Sequence, residues 1–372
     1  MTKEELYQEI KKLPNEMPSD KRLAAYFKGE IVDHQPCMMN AGQGVYAKMV
    51  GLANENVNDL EVQCEIIRRK ELLYGMRGTR ASMNLRTVGE ALGSVVYYPK
   101  QSTEYITDHF MKRYSQLSDM ENLDVKNNAI LKGIVEKGKL LKKRFPDMKI
   151  GTGCPGPMSA AASVRAVDLL LRDVRKNPEN LHKLLELCVS KCLDWLVYAH
   201  EEVGFDSSLL FDPVTSTDVL GRKYFKEISK PHFKRLFDGM TEIIGKKPTI
   251  HICGHTRQIW DDLREIGVSA FSVDDRESIE ELKKKMGNQI MIIGNVAPVD
   301  IIRNGSIDEI IAEVKRQLQV AADSPRGYMI GPGCEIPLAT PKENIDAFLY
   351  AIRKYGAGAQ IGHLPKGLES EL

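Results

Sequence analysis

A chain of 372 residues, 42% hydrophobic and 28% charged, is long enough to bury a large core as one big domain or two ordinary ones. Its 52 basic and 51 acidic side chains leave a net charge of +1, so no global field favours nucleic acid or an acidic membrane, and small molecules or a neutral protein surface are the expected partners. Seven cysteines with no signal peptide ahead of them argue against a disulfide framework and for a reducing cytoplasm; no apolar run approaches the ~20 residues that span a bilayer.

The chain opens with helical signals at Thr2–Leu13 and Ser19–Lys28, the second with Ser19 as its expected N-cap. A first strand is predicted at Gln35–Asn40, then an amphipathic helix at Val57–Tyr74 and a second strand at Ala81–Leu85. Tyr97–Leu123, with its aromatics and mixed charges, reads as an excursion or small cap. The lysine-rich helical stretch Val125–Lys143 leads into a third strand at Met148–Gly153, and Pro178–Val203 is a long helix. From there the rhythm is regular. Ser208–Phe211, Pro248–Ile252, Val268–Val273, Gln289–Ile293 and Tyr328–Ile330 are short β-favouring runs, most of them separated by helical patterns, and residues 356–372 read as a polar tail.

About eight alternating strands and helices imply a parallel sheet closed into a (β/α)8 TIM barrel, a single domain over residues 1–372 with an N-terminal helical extension over residues 1–30. Such a barrel places its catalytic groups at the C-terminal ends of the strands. Asn40, Asn84, Cys154, Asp212, His251 with Cys253, Asp274, Asn295 and Cys334 all fall at or just after those ends.

In an extended segment alternate side chains point the same way, so His251 and Cys253 can grip one ion together, and Cys334 in Gly331-Pro332-Gly333-Cys334 could complete the grip. One imidazole and two thiolates suit Zn²⁺ and leave a fourth tetrahedral position open. The duller reading returns all three to the core, where cysteines are common. His255, two residues beyond Cys253, could replace His251. Cys154 reads as part of a tight turn, and Cys37, Cys64, Cys188 and Cys192 as packing. Asp212 either orients a ligand or substrate or caps a loop, and of the pair Asp274 and Asp275 at least one is expected to cap the following helix. Lys283–Lys285 is a solvated helix face.

Arg22-Leu23-Ala24-Ala25-Tyr26-Phe27-Lys28-Gly29-Glu30 through Val32-Asp33-His34-Gln35-Pro36, Gly153-Cys154-Pro155-Gly156-Pro157, and Gly333-Cys334 followed by Thr340-Pro341-Lys342-Glu343-Asn344 resemble the uroporphyrinogen decarboxylase superfamily. Within it, His251-Ile252-Cys253-Gly254 plus Cys334 resembles the zinc signature of the cobalamin-dependent methyltransferase branch, which holds methylcobamide:coenzyme M methyltransferases and the substrate-side enzymes of O-demethylase systems. The decarboxylases carry Arg-Gln-Ala-Gly-Arg-Tyr after the first strand; this chain has Met39-Asn40-Ala41-Gly42-Gln43-Gly44 there, and Asn84 replaces their aspartate.

The resemblance implies methyl transfer between a small substrate and the cobalt of a corrinoid (cobalamin) carried by a partner protein, with Zn²⁺ on His251, Cys253 and Cys334. Glu335 and Asp212 are the candidate catalytic groups. Asn40, Gln43, Asn84, Asp274 and Asn295 are the candidate contacts to substrate or corrinoid. Glu335 beside the metal, and the apolar and amide groups of Met38–Gln43, lean the reading to a methoxylated aromatic donor, that is, to O-demethylation. Transfer from methylcorrinoid to a thiol of the coenzyme M type is the alternative; a metal-free decarboxylase-type lyase and a non-catalytic partner of the corrinoid protein stand behind both.

Overall fold

The computed structural model describes residues 1–14, 16–99 and 104–371. They fall into two compact units, Thr79–Val268 and a second formed by Met1–Gly78 with Ser269–Leu372.

Six strands belong to the unit Thr79–Val268: β1 (Thr79–Arg80), β2 (Val95–Tyr97), β3 (Tyr105–Asp108), β4 (Ile150–Pro155), β5 (Ser207–Phe211) and β6 (Thr249–Ile252). β1, β4, β5 and β6 pair in that order, all parallel. β1 is short, but Ala81 and Met83 donate their N–H groups to Gly151 and Gly153, so its track runs on to the position expected from sequence. All six residues of β4 are buried, as a strand covered on both faces requires. β2 and β3 pair antiparallel, β3 inside the expected excursion and β2 reaching it only at Tyr97.

The helix Pro178–Val203 lies where the pattern placed it. Leu181, Leu184, Leu185, Cys188, Val189, Cys192, Trp195, Leu196, Ala199 and Val203 are buried at steps of one, three and four residues, one apolar stripe along the helix. Pro178 opens it, and Gly204 closes it in the left-handed conformation at φ 71°. Trp195 is fully buried and donates its Nε1–H to the carbonyl of Leu131, satisfying the polar atom of the ring.

The other unit holds β7 (Ala270–Val273), β8 (Met291–Ile293) and β9 (Tyr328–Met329), again parallel. The strand expected at Gln35–Asn40 is reduced to isolated parallel bridges, Cys37 with Ile330 and Ala41 with Ile336. Pro36 accepts from Ile330 N–H, but having no N–H of its own it cannot carry the ladder upstream. The N-terminal helices are present at Lys3–Lys12 and Ser19–Phe27. Pro18, not Ser19, takes the cap position of the second; Ser19 Oγ instead binds the backbone of Arg77 as donor and acceptor. The helix Ile279–Met286 is capped by Ser278 rather than by Asp274 or Asp275. The C-terminal segment expected as a polar tail packs in part: Ala359 is buried and bridges Val32, and Leu368 is buried. No helix among the described residues is long and apolar enough to cross a membrane.

Candidate metal centre

In the unit Thr79–Val268, β6 carries His251 as a buried residue and Cys253 follows one residue after the strand, half-buried. Strand alternation brings His251 Nε2 to 3.1 Å from Cys253 Sγ. The chain then turns at Gly254 with φ 78°, where any other residue would be strained, and a Cβ there would lie 2.7 Å from Asp218 Oδ2. Asp218 accepts the backbone N–H of His255 at 2.9 Å and pairs with its ring Nδ1 at 2.8 Å, while Thr217 donates N–H and Oγ–H to the His255 carbonyl. His255 is thereby committed to Asp218, and the imidazole beside the Cys253 thiol is that of His251.

Asp212 ends β5 and is fully buried. Its Oδ1 accepts from Ser159 N–H at 2.8 Å and Ser159 Oγ–H at 2.5 Å, and its own N–H donates to the His251 carbonyl at 3.0 Å. Oδ2 makes no hydrogen bond among the described residues. Burial pushes the carboxyl up to about 6, against the bonds from Ser159. The capping reading of Asp212 is visible: one oxygen caps the helix Pro157–Val164 from outside, and separately its backbone N–H ties the end of the strand that carries His251. The turn expected around Cys154 is strand instead, since β4 runs on to Pro155. A Cβ on Gly156 would come within 2.4 Å of the Asp212 side chain, which explains the glycine between β4 and the helix Pro157–Val164. Cys154 and Cys192 are buried beside each other, and that contact together with burial raises the Cys154 thiol well above 9, so it stays protonated packing. Asn84 turns its Oδ1 to Arg86 N–H and Thr87 Oγ–H, closing its own turn.

In the other unit Cys334 is half-buried on the loop after β9, which is held by Gly333 N–H donating to the Val296 carbonyl. Its neighbour Glu335 lies over the first-strand loop, since a Cβ on Gly42 would sit 2.8 Å from Glu335 Oε1, and Ile336 N–H donates to the Asn40 carbonyl. Gln43 begins the short helix Gln43–Met49 on that loop. Asn40, Gln43 and Glu335 are thus brought to the Cys334 loop. Asn295 is otherwise engaged. Its Nδ2 donates to the carbonyls of Asp274 and Glu277 and its Oδ1 accepts from Gln317, so its amide is a clamp for the β7 exit rather than a free substrate contact. Asp274 accepts from Arg276 N–H, shaping the same turn. Burial, then the charge of Asp274, pushes the Asp275 carboxyl up; Asp275 and Asn295 line a cavity of about 250 Å³ with Glu277, Glu313 and Arg316. Ser159, Asp218 and Gln317 carry no signal in the sequence, because each acts on a partner far away along the chain.

The family model for uroporphyrinogen decarboxylase (URO-D) matches residues 18–355, spanning both units. The chain belongs to the uroporphyrinogen decarboxylase family. Methylcobamide:CoM methyltransferase MtaA of Methanosarcina barkeri is 25% identical over 341 residues, 90% of this chain and 98% of that protein. MtbA of Methanosarcina acetivorans, also named a methylcobamide:CoM methyltransferase, is 26% identical over 305 residues, 80% of this chain and 85% of its own. A uroporphyrinogen decarboxylase of Pseudoalteromonas atlantica is 21% identical over 360 residues, 92% and 98% of the two chains. Among solved structures, a methyltransferase from Methanosarcina mazei superposes with a TM-score of 0.74 at 25% identity, over 92% of this chain and all of that one. The α/β, TIM-barrel-like class expected from the strand rhythm is the class of this family member.

Proposed function

We propose that this URO-D family member is an enzyme that transfers a methyl group from the cobalt of a corrinoid, carried by another protein, to the sulfur of a small thiol. The observation that carries the reading is the 3.1 Å approach of His251 Nε2 to Cys253 Sγ at a strand exit, the fixed pair of a nitrogen and sulfur ligand set. Cys334 is proposed as the third ligand, and the donor chemistry fits zinc: one imidazole and two thiols, with a position left open for substrate. Zinc bound there supplies Lewis acidity that lowers the pKa of a thiol.

The chain's own residues do the positioning. His251 and Cys253 are set by strand alternation, Asp212 N–H ties the strand end, and Asp218 clamps the turn that follows. In the transfer the sulfur–carbon bond forms as the cobalt–carbon bond breaks, cobalt keeps the electron pair and the thiol proton leaves to solvent. Holding the three centres in line is where a protein lowers such a barrier by several kcal/mol.

Relatives named for coenzyme M support a thiol acceptor over the methoxylated aromatic expected from the sequence. One observation keeps the aromatic donor as a second reading: Glu335, a carboxylate over Gly42, could assist a departing oxygen. Decarboxylation has the weaker support, because the loop Met39–Gly44 lacks the two arginines. The test is elemental analysis of the purified protein with Cys253→Ala and Cys334→Ala, followed by cobalamin absorbance with a thiol and with a methoxyarene. About one zinc per chain, lost in both variants, with demethylation of methylcobalamin by the thiol, is expected. Methylation of Co(I) by the arene alone would move the reading to O-demethylation, and full activity of the metal-free variants would sink it.

A further inference from the structure

On the strands of the unit Thr79–Val268 alternate side chains face opposite sides of the sheet, and the register sorts them into rows. Cys154, Leu210 and Ile250 are neighbours across β4, β5 and β6. All three are fully buried, and Cys154 meets Cys192 of the helix Pro178–Val203, so theirs is the helix-covered side. Pro155, Phe211 and His251, one residue further on, form a row that faces the opposite side. Cys253, two residues after His251, faces that side with it. Phe211 is thus the strand neighbour of the proposed metal ligand, and it is half-buried where Leu210 beside it is sealed.

The Phe211 ring does not stay in its own row. A Cβ on Gly153, one row back on β4, would lie 3.1 Å from Phe211 Cε1, closer than the ~3.5–4.0 Å of ordinary carbon–carbon contact. The ring therefore leans back over the place where any other residue at 153 would put its side chain, and away from the row of His251. Ser82 Oγ lies 3.5 Å from the same place, buried and making no hydrogen bond among the described residues, so the ring shuts it off.

We infer that Phe211 and Gly153 set the size of the thiol that the protein accepts, an inference that rests on the methyl-transfer reading above. With the ring laid back over Gly153, the room beside His251 is left to the carbon chain of a thiol whose sulfur takes the open position on the metal. The ring is the apolar floor on which that chain packs. It also bars the way to the next row, about 6.6 Å back along the strands, so the accepted thiol is short and carries no aromatic ring. Phe211 is then the specificity-determining residue, and Gly153 positions it.

The experiment compares 2-mercaptoethanol with benzyl mercaptan on zinc-loaded wild type, Phe211→Ala and Gly153→Ala. Thiol affinity is read by titration calorimetry and kcat/KM by demethylation of methylcobalamin, with zinc content and circular dichroism recorded for each protein. The wild type should bind the small thiol about tenfold or more tightly than the aromatic one. Phe211→Ala should erase that preference in both readouts by improving the aromatic thiol, with zinc unchanged. Gly153→Ala, which pushes the ring up into the row of His251, should weaken both thiols by about tenfold. A wild type that binds both thiols equally, a wild-type ratio in Phe211→Ala, or full thiol affinity in Gly153→Ala would each overturn the inference. Phe211→Leu, which keeps apolar volume where Phe211→Ala does not fold, should move the ratio the same way, and a wild-type ratio in that folded variant would overturn it too. Failure here is separable from failure of the wider reading. A wild type with the expected thiol preference but no methyl transfer sinks the transfer and keeps the pocket, whereas methyl transfer with a ratio indifferent to residue 211 does the opposite.

Discussion

Asp33 and Asp212 are both withdrawn from water, one in each unit, and their surroundings treat them in opposite ways. Asp33 is partly buried, which alone would raise its pKa, yet it receives Arg22 Nε–H and Nη2–H on its two oxygens at 2.6 and 2.7 Å and the Met17 N–H at 2.8 Å. Those bonds and the charges of Arg22 and His34 outweigh burial and hold it below the usual carboxylate range. Asp212 is wholly buried with one bonded oxygen and one bare oxygen, and burial carries it up to about 6. A carboxylate with both oxygens answered, as Asp33 is, serves the fold. One left half-answered, as Asp212 is at the exit of the strand before His251, costs stability.

That contrast can be broken or sharpened by mutation. The largest effect is expected from Cys253→Ala, which should abolish zinc binding and cut methyl transfer by about a thousandfold or more, read by metal analysis and cobalamin absorbance, with the fold kept. Arg22→Ala should do the reverse. Opening the bidentate pair leaves Asp33 with only the Met17 N–H and should cost about 3 kcal/mol of unfolding free energy, read by denaturant titration, while zinc content stays the same. An Arg22→Ala protein as stable as wild type would remove the distinction drawn above.

Asp218→Ala tests the clamp on the turn beside Cys253. Loss of the His255 contacts should weaken zinc affinity roughly tenfold to a hundredfold with little change in melting temperature, and Asp218→Asn, which keeps an acceptor for the backbone N–H, should recover part of it. Smaller still is the pH effect at Asp33. Its folded pKa lies below the unfolded value, so its contribution is complete above the unfolded pKa and is lost as pH falls through the folded one. The stability gap between wild type and Asp33→Asn should therefore be full at pH 7 and close in acid; a gap unchanged down to pH 2 would show that the pair is not electrostatic. Last, Asp212→Asn should leave stability at pH 7 within about 1 kcal/mol of wild type, because it removes a desolvated charge while keeping an acceptor for Ser159.

What could be read in the sequence was whatever repeats over a few residues. The period of two placed His251 beside Cys253, and the stripe from Leu181 to Val203 placed the long helix, because both patterns are imposed by backbone geometry on neighbouring residues. Local reading failed where a neighbour in space competed with one in sequence. Ser19 was taken by Arg77, 58 residues away, and so did not cap its helix; Pro36 shortened the first strand to bridges. The substrate role expected of Asn295 gave way for the same reason, its amide being consumed by Asp274, Glu277 and Gln317.

By itself, then, the sequence determined the α/β class, the order of strands and helices, and the chemical type of the candidate ligands, since these follow from periodicity and residue identity. Only the tertiary structure decided that Asp218 pairs with His255, that Asp212 keeps a bare oxygen, and that His182 meets His232. Each joins residues 37 to 53 positions apart, as in the Asp218–His255, Ser159–Asp212 and His182–His232 pairs. No local pattern records such contacts, because packing rather than backbone period brings the partners together.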